Sequence, residues 1–164
     1  MIKRSHRLDE ETPAFQAEFQ VEILEHWQEI QQDRRYPSKQ DFRPQNFPKY
    51  LPQLAIVSVD ESENFTDRLT GTTVSEVLKL SAGREQLVAP SEEKISDVVQ
   101  HMLGQATNSA QPMYFEGDFT PETSVSIEFS ALVLPFSYDS GTDNMDTLLL
   151  AFNFSGNHDL LALS

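Results

Sequence analysis

Between positions 15 and 30, Phe15, Phe19, Ile23, Trp27 and Ile30 recur in steps of four, four, four and three. That period lays them along one stripe of a helix. Thr12 suits its cap and Pro13 its first position, where a missing N–H costs nothing. Arg34 and Arg35 stand at the far end, where positive charge complements the helix dipole, and Tyr36-Pro37 closes it. The pattern predicts a helix over 13–36 whose stripe needs something to pack on. The twelve residues before it are charged and read as a mobile tail, 1–12.

Residues 37–53 hold four prolines. Each removes a donor and restricts its predecessor, so this is a connector, anchored by Phe42, Phe47, Tyr50 and Leu51. Residues 54–60 and 65–70 then read as two strands of a hairpin, closed by Gly71. Helical spacing follows. Val74, Val77 and Leu78 form one group, and after Pro90-Ser91 come Ile95, Val98, Val99, Met102 and Leu103. The last third returns to strand patterns over 112–119, 124–134 and 145–154, with a polar turn at 139–144. Leu132 and Leu134 make both faces of the middle strand apolar. Two strands lead and three follow, each group joined as hairpins. The order predicts an α+β domain over 54–155: a five-stranded antiparallel sheet with helices on one face. The N-terminal amphipathic helix is then free to cover the other face, and 156–164 is a tail.

Some segments carry a likeness as well as a pattern. Pro37-Ser-Lys-Gln-Asp-Phe-Arg-Pro44, Asn46-Phe-Pro-Lys-Tyr-Leu-Pro-Gln-Leu54, Arg68-Leu-Thr-Gly71-Thr72, and Leu134-Pro135 with Met145-Asp146 and Leu148-Leu149 stand in order along the chain. Together they resemble the bacterial PAS_5 family of PAS domains over about residues 14–154. The resemblance implies a sensing or interaction module in bacterial regulation, with no catalytic residue set. Arg68, Gly71 and Thr72 lie in this family-like stretch and read as structural: the arginine ties the strand to a helix end, in preference to binding an anion, and Gly71-Thr72 ends the strand and caps the next helix through the Thr72 hydroxyl.

Composition narrows the chemistry. Cysteine is absent, which removes disulfides, thiolate metal sites, a Cys nucleophile and flavin–thiol photochemistry. The formal net charge of −14 repels phosphate backbones and anionic lipid, so neither nucleic acid nor a membrane surface is an expected partner. No leader or spanning segment stands out, and the expected location is the cytoplasm. After Lys94 there is no Lys or Arg, while nine acids follow. This acidic stretch reads first as a solvated face, and second as a surface for a basic partner.

No serine elbow, phosphate-binding glycine loop or paired-histidine zinc motif is present. Gly71, Gly83, Gly104 and Gly141 sit where turns or caps are wanted. His6, His26, His101 and His158 read as surface or half-buried side chains in preference to haem ligands. Asp139, Asp143 and Asp146 fit a turn better than a cation loop, and no metal or other cofactor is expected. Alternation and helix phase nominate Ile56, Leu69, Val77, Met102, Phe115, Phe129 and Phe152 as lining for a small-molecule pocket, with plain core packing as the alternative. The stripe of Phe15, Phe19, Ile23, Trp27 and Ile30 is nominated as a dimer or partner contact.

The functional expectation is a non-enzymatic sensory or regulatory module that binds a small molecule, a regulatory protein, a second copy of itself, or some combination. The competing reading is a small enzyme on a cone-like α+β fold, with Asp67 or Asp118 as a buried general base.

Overall fold

The computed structural model describes residues 2–82, 95–119, 127–138 and 144–156. The elements run β1 (Ile2–Arg7), α1 (Glu18–Gln31), β2 (Leu54–Val59), β3 (Phe65–Thr70), α2 (Thr72–Ala82), α3 (Ile95–Ser109), β4 (Met113–Phe119), β5 (Ile127–Phe136) and β6 (Thr147–Gly156). Single turns of 3₁₀ helix at Lys39–Asp41, Pro44–Asn46 and Leu51–Gln53 carry the chain from α1 to β2. One antiparallel sheet has the strand order β1-β4-β5-β6-β2-β3. The class is α+β, as the element order predicts, with six strands where the pattern predicts five.

The additional strand is β1, formed by residues expected to be a mobile tail. It pairs antiparallel with β4, placing Arg4 opposite Glu116 and His6 opposite Tyr114. Apolar patterning does not reveal it, because only Ile2 is apolar within the strand; charge provides much of the hold. Lys3 Nζ lies 3.0 Å from Asp118, Arg4 Nε lies 3.7 Å from Glu116, and His6 contacts Glu11 and Glu116.

Alternation along the central strands splits the core between two faces. Val57, Phe115, Phe129, Ala131, Val133, Leu148, Leu150 and Phe152 point to the inner face, where Val74, Val77, Val98, Met102 and Leu103 come down from α2 and α3. Leu54, Ile56, Tyr114, Leu132, Leu134, Leu149 and Ala151 point to the outer face, where they meet Phe19, Ile23 and Trp27 of α1 and Phe42 of the connector. Burying three such side chains contributes roughly 1.5–3 kcal/mol each.

α1 is shorter at both ends than the predicted 13–36. Phe15 packs edge-on against Tyr114, and the Gln16 N–H donates to the Tyr114 hydroxyl at 2.8 Å. These contacts hold the chain extended through Ala17, so the helix starts at Glu18 and not at the Thr12–Pro13 cap. It ends where Gln32 takes φ 55°, with the Arg34 guanidinium donating to the Ile30 carbonyl at 2.7 Å. Gly104 lies inside α3, not at a turn. The predicted helix start at Pro90-Ser91, Gly83, Gly141, Asp139, Asp143, His158 and the tail from 157 lie outside the described residues.

Pro135 sits in β5, a strand with neighbours on both sides, where a residue without N–H is normally excluded. The β4 pairing ends at Val133, so β5 has only β6 beside it at Pro135. The freed carbonyl accepts from Trp27 Nε1 at 2.8 Å. Past that point the connector takes over the open edge. Ser38 and Ser137 form a parallel bridge, and the Lys39 N–H donates to the Ser137 carbonyl at 2.7 Å.

Candidate ligand-binding cleft

That bridge builds a site, because it brings residues 38–45 beside the far end of β5, next to the β2–β3 hairpin. Ser38 Oγ accepts from the Gln40 N–H at 3.2 Å, starting the Lys39–Asp41 turn, and donates to the Tyr138 carbonyl at 3.2 Å. Lys39, Pro44 and Gln45 thereby form one wall of an open cleft of about 920 Å³. Its floor is the outer face of the hairpin: Ile56, Ser58, Thr66, Arg68 and Leu69. Tyr138, Asp146 and Thr147 close one end, and Val59 and Asp60 lie at its margin.

Strand register explains why both Arg68 and Leu69 line it. Ile56 pairs with Leu69 and Val57 with Asp67, so Arg68 is the additional residue of a β-bulge. A bulge re-aims a side chain that strict alternation would send to the opposite face. Arg68 Nε then donates to Ser58 Oγ at 3.0 Å across the hairpin. The sequence reading expects an arginine tied to a helix end; the structure instead bonds it to Ser58 on the neighbouring strand and turns it into the cleft. Thr72 is likewise the first residue of α2, and Gly71 occupies the cap position, its carbonyl accepting from the Ser75 N–H at 2.9 Å. The glycine is required by close approach, since a Cβ there would collide with the carbonyl oxygens of Leu51 and Pro52.

The cleft's two acids are committed to local structure. Asp60 Oδ1 accepts from the Ser62 and Asn64 N–H groups at 2.8 and 2.9 Å, setting the hairpin turn. The Asn64 backbone bond leads the causes that hold its carboxyl below the usual carboxylate value. Asp146 Oδ1 accepts from the Tyr138 N–H at 2.7 Å and the Thr147 hydroxyl at 3.0 Å. This fixes Tyr138 in place and agrees with the turn reading of Asp146. The two cations differ. Among the described residues neither Lys39 nor Arg68 has a carboxylate within ion-pair distance. Leu69 and Tyr138, 37% and 58% exposed, are the exposed large apolar side chains among the described residues, and both line this cleft.

The nominated pocket residues divide between the two faces. Val77, Met102, Phe115, Phe129 and Phe152 come together in the inner core, each at most 2% exposed. Ile56 and Leu69 lie on the outer face, in the cleft. The stripe nominated for dimerisation is already occupied: Phe19, Ile23 and Trp27 are buried against the chain's own sheet, with Phe15 and Ile30 packed beside them. The second sheet face, itself apolar, supplies the surface that a partner was expected to supply.

Sequence reasoning missed Lys39, Ser58, Thr66 and Tyr138. Lys39 and Tyr138 meet through a bridge between positions about a hundred apart, which no local pattern encodes. Of the histidines, His101 is exposed and bonds to Gln105, while His26 is half-buried against Phe42 and Phe47. No group of three metal-binding side chains occurs among the described residues. Nor is any of their helices long and apolar enough to cross a membrane.

The model of the PAS_5 family, a PAS domain, matches residues 16–150. No curated protein and no solved structure matches the chain.

Proposed function

The chain belongs to the PAS_5 family of PAS domains, and from that membership we propose that it serves bacterial signalling as a small-molecule receiver, with the outer cleft as the receiving site. PAS domains are in general sensory and regulatory modules, not catalysts. The observation that supports the cleft is the coincidence, in one concave surface, of two exposed apolar side chains and two cations without carboxylate partners among the described residues. A regulatory protein or a second copy of the chain is the other class of partner. Because the stripe of α1 is buried, such a partner would meet the cleft and the exposed strand β3.

The inner residues Val77, Met102, Phe115, Phe129 and Phe152 read as the packed support of the sheet. The surroundings of the two carboxylates nominated as a base weigh against the enzyme reading. Asp67 is exposed on the outermost strand, and Asp118 is paired with Lys3 at 3.0 Å.

The test is to purify the full chain from its host, denature it and identify released compounds by mass spectrometry. Recovery of a stoichiometric small molecule that rebinds and perturbs Leu69 and Tyr138 is the expected result. An empty protein, to which no component of the host's small-molecule extract binds, would overturn the proposal.

A further inference from the structure

The chemistry of the cleft narrows what it takes. The chain carries a net charge of −14, and several of its described cations are neutralised by neighbours. Lys3, Arg4, Arg7 and Arg34 each lie within 4 Å of a carboxylate. Among the described residues Arg35, Lys39, Arg43, Lys49 and Arg68 do not, and of these five Lys39 and Arg68 line the cleft, although Asp60 and Asp146 line it too. Those two acids are turned to backbone N–H groups instead.

Arg68 is also held in a definite pose. The bulge sends it into the cleft, and its Nε is engaged by Ser58. Its two terminal nitrogens have no partner among the described residues. They present the parallel pair of N–H donors that matches the two oxygens of a carboxylate. Lys39 adds a second positive charge from the opposite wall. Beside these cations lie Leu69 and Tyr138, exposed apolar surface that water wets at a cost, with the buried Ile56 at the floor.

Resting on the reading of this cleft as the receiving site, we propose that its ligand is a small molecule with a single carboxylate and an apolar body. The carboxylate sits on Arg68 and Lys39, and the body lies against Leu69, Ile56 and Tyr138. A dianionic phosphate is disfavoured because Asp60 and Asp146 share the same space. Each added negative charge is repelled by both acids, while only two cations stand to offset it.

Calorimetry on the full chain tests this with octanoate, octyl phosphate, octanol and acetate as probes. Octanoate is expected to bind, with octanol and acetate each weaker by about tenfold or more, since each lacks one half of the recognition. Arg68→Gln and Lys39→Gln are each expected to weaken octanoate about tenfold while leaving the amide spectrum of the fold unchanged. Octyl phosphate binding more tightly than octanoate would overturn the carboxylate assignment. So would octanol binding as well as octanoate, or octanoate binding that neither substitution alters. If octanoate fails while the compound recovered from the host still occupies the cleft, the ligand class is wrong and the receiver reading survives. If the recovered compound lies under α2 and α3, both fall.

Discussion

Gln20 shows how one polar side chain fixes a helix on a sheet. It is fully buried in the outer core, and its Nε2 donates to Ser130 Oγ at 3.1 Å and the Ala151 carbonyl at 3.0 Å. Gln20→Leu keeps much of the volume but leaves the Ser130 hydroxyl and the Ala151 carbonyl short of a partner. An unfolding free energy lower by about 1–3 kcal/mol is expected, read from the shift of a urea midpoint. Tyr114 belongs to the same face. Burial pushes its hydroxyl above the ordinary value, and bonds with Ser130 and the Gln16 N–H pull it partly back. The unfolded chain ionises tyrosine near about pH 10 while the folded chain resists. The stabilisation from neutral Tyr114 is therefore whole below about pH 10 and is lost as pH rises through the folded value. Tyr114→Phe is expected to cost about 1 kcal/mol at neutral pH and to lose less stability on alkaline titration than the parent. At this scale the sequence was partly legible. Phe19, Ile23 and Trp27 announced a buried stripe through their spacing, and Gly71 announced a tight place. Gln20 and Arg68 did not, because a buried amide and a bulged arginine look like ordinary surface residues until the register is known.

Among the elements, α3 and β1 make contrasting cases. Gly104 lies within α3, and a Cβ there would have nothing within 4 Å. Gly104→Ala is therefore expected to raise stability by about 1 kcal/mol, measured by the same urea midpoint. Gly71→Ala should do the opposite, because the 3₁₀ turn at Leu51–Gln53 must back away from the start of α2. A loss of about 3 kcal/mol is expected. β1 is held by its ladder and by solvent-exposed ion pairs to β4, each worth less than about 1 kcal/mol. Salt shortens the reach of such pairs from about 10 Å at 0.1 M to about 3 Å at 1 M. Amide exchange in β1 should accordingly quicken with salt while that in β5 does not. The strands and helices with apolar periodicity were readable in the chain. β1 was not, because basic residues hold it to acidic ones, and charge complementarity across a hundred positions leaves no periodic trace. Two of the nine acids after Lys94, Glu116 and Asp118, are met by Arg4 and Lys3 of the chain's own N-terminal strand.

At the scale of the whole fold the sheet is covered on both faces, and that arrangement decides which surface stays open. α2 and α3 cover the inner face, α1 and the connector cover much of the outer one, and the β2–β3 hairpin with Tyr138 is left with a concave surface. Two covers on one apolar sheet were foreseeable from Leu132 and Leu134, which make both sides of β5 apolar. The place where the outer cover ends was not, since it depends on the Ser38–Ser137 bridge. The proposed receiving surface is the outer cleft, and not the core beneath the helices. Methyl-resolved NMR of the full chain, titrated with the small-molecule extract of its host, measures this directly. The methyls of Ile56 and Leu69 should shift while those of Val77 and Met102, on the opposite face of the sheet, hold still. Movement of Val77 and Met102 with Ile56 and Leu69 unmoved would contradict it.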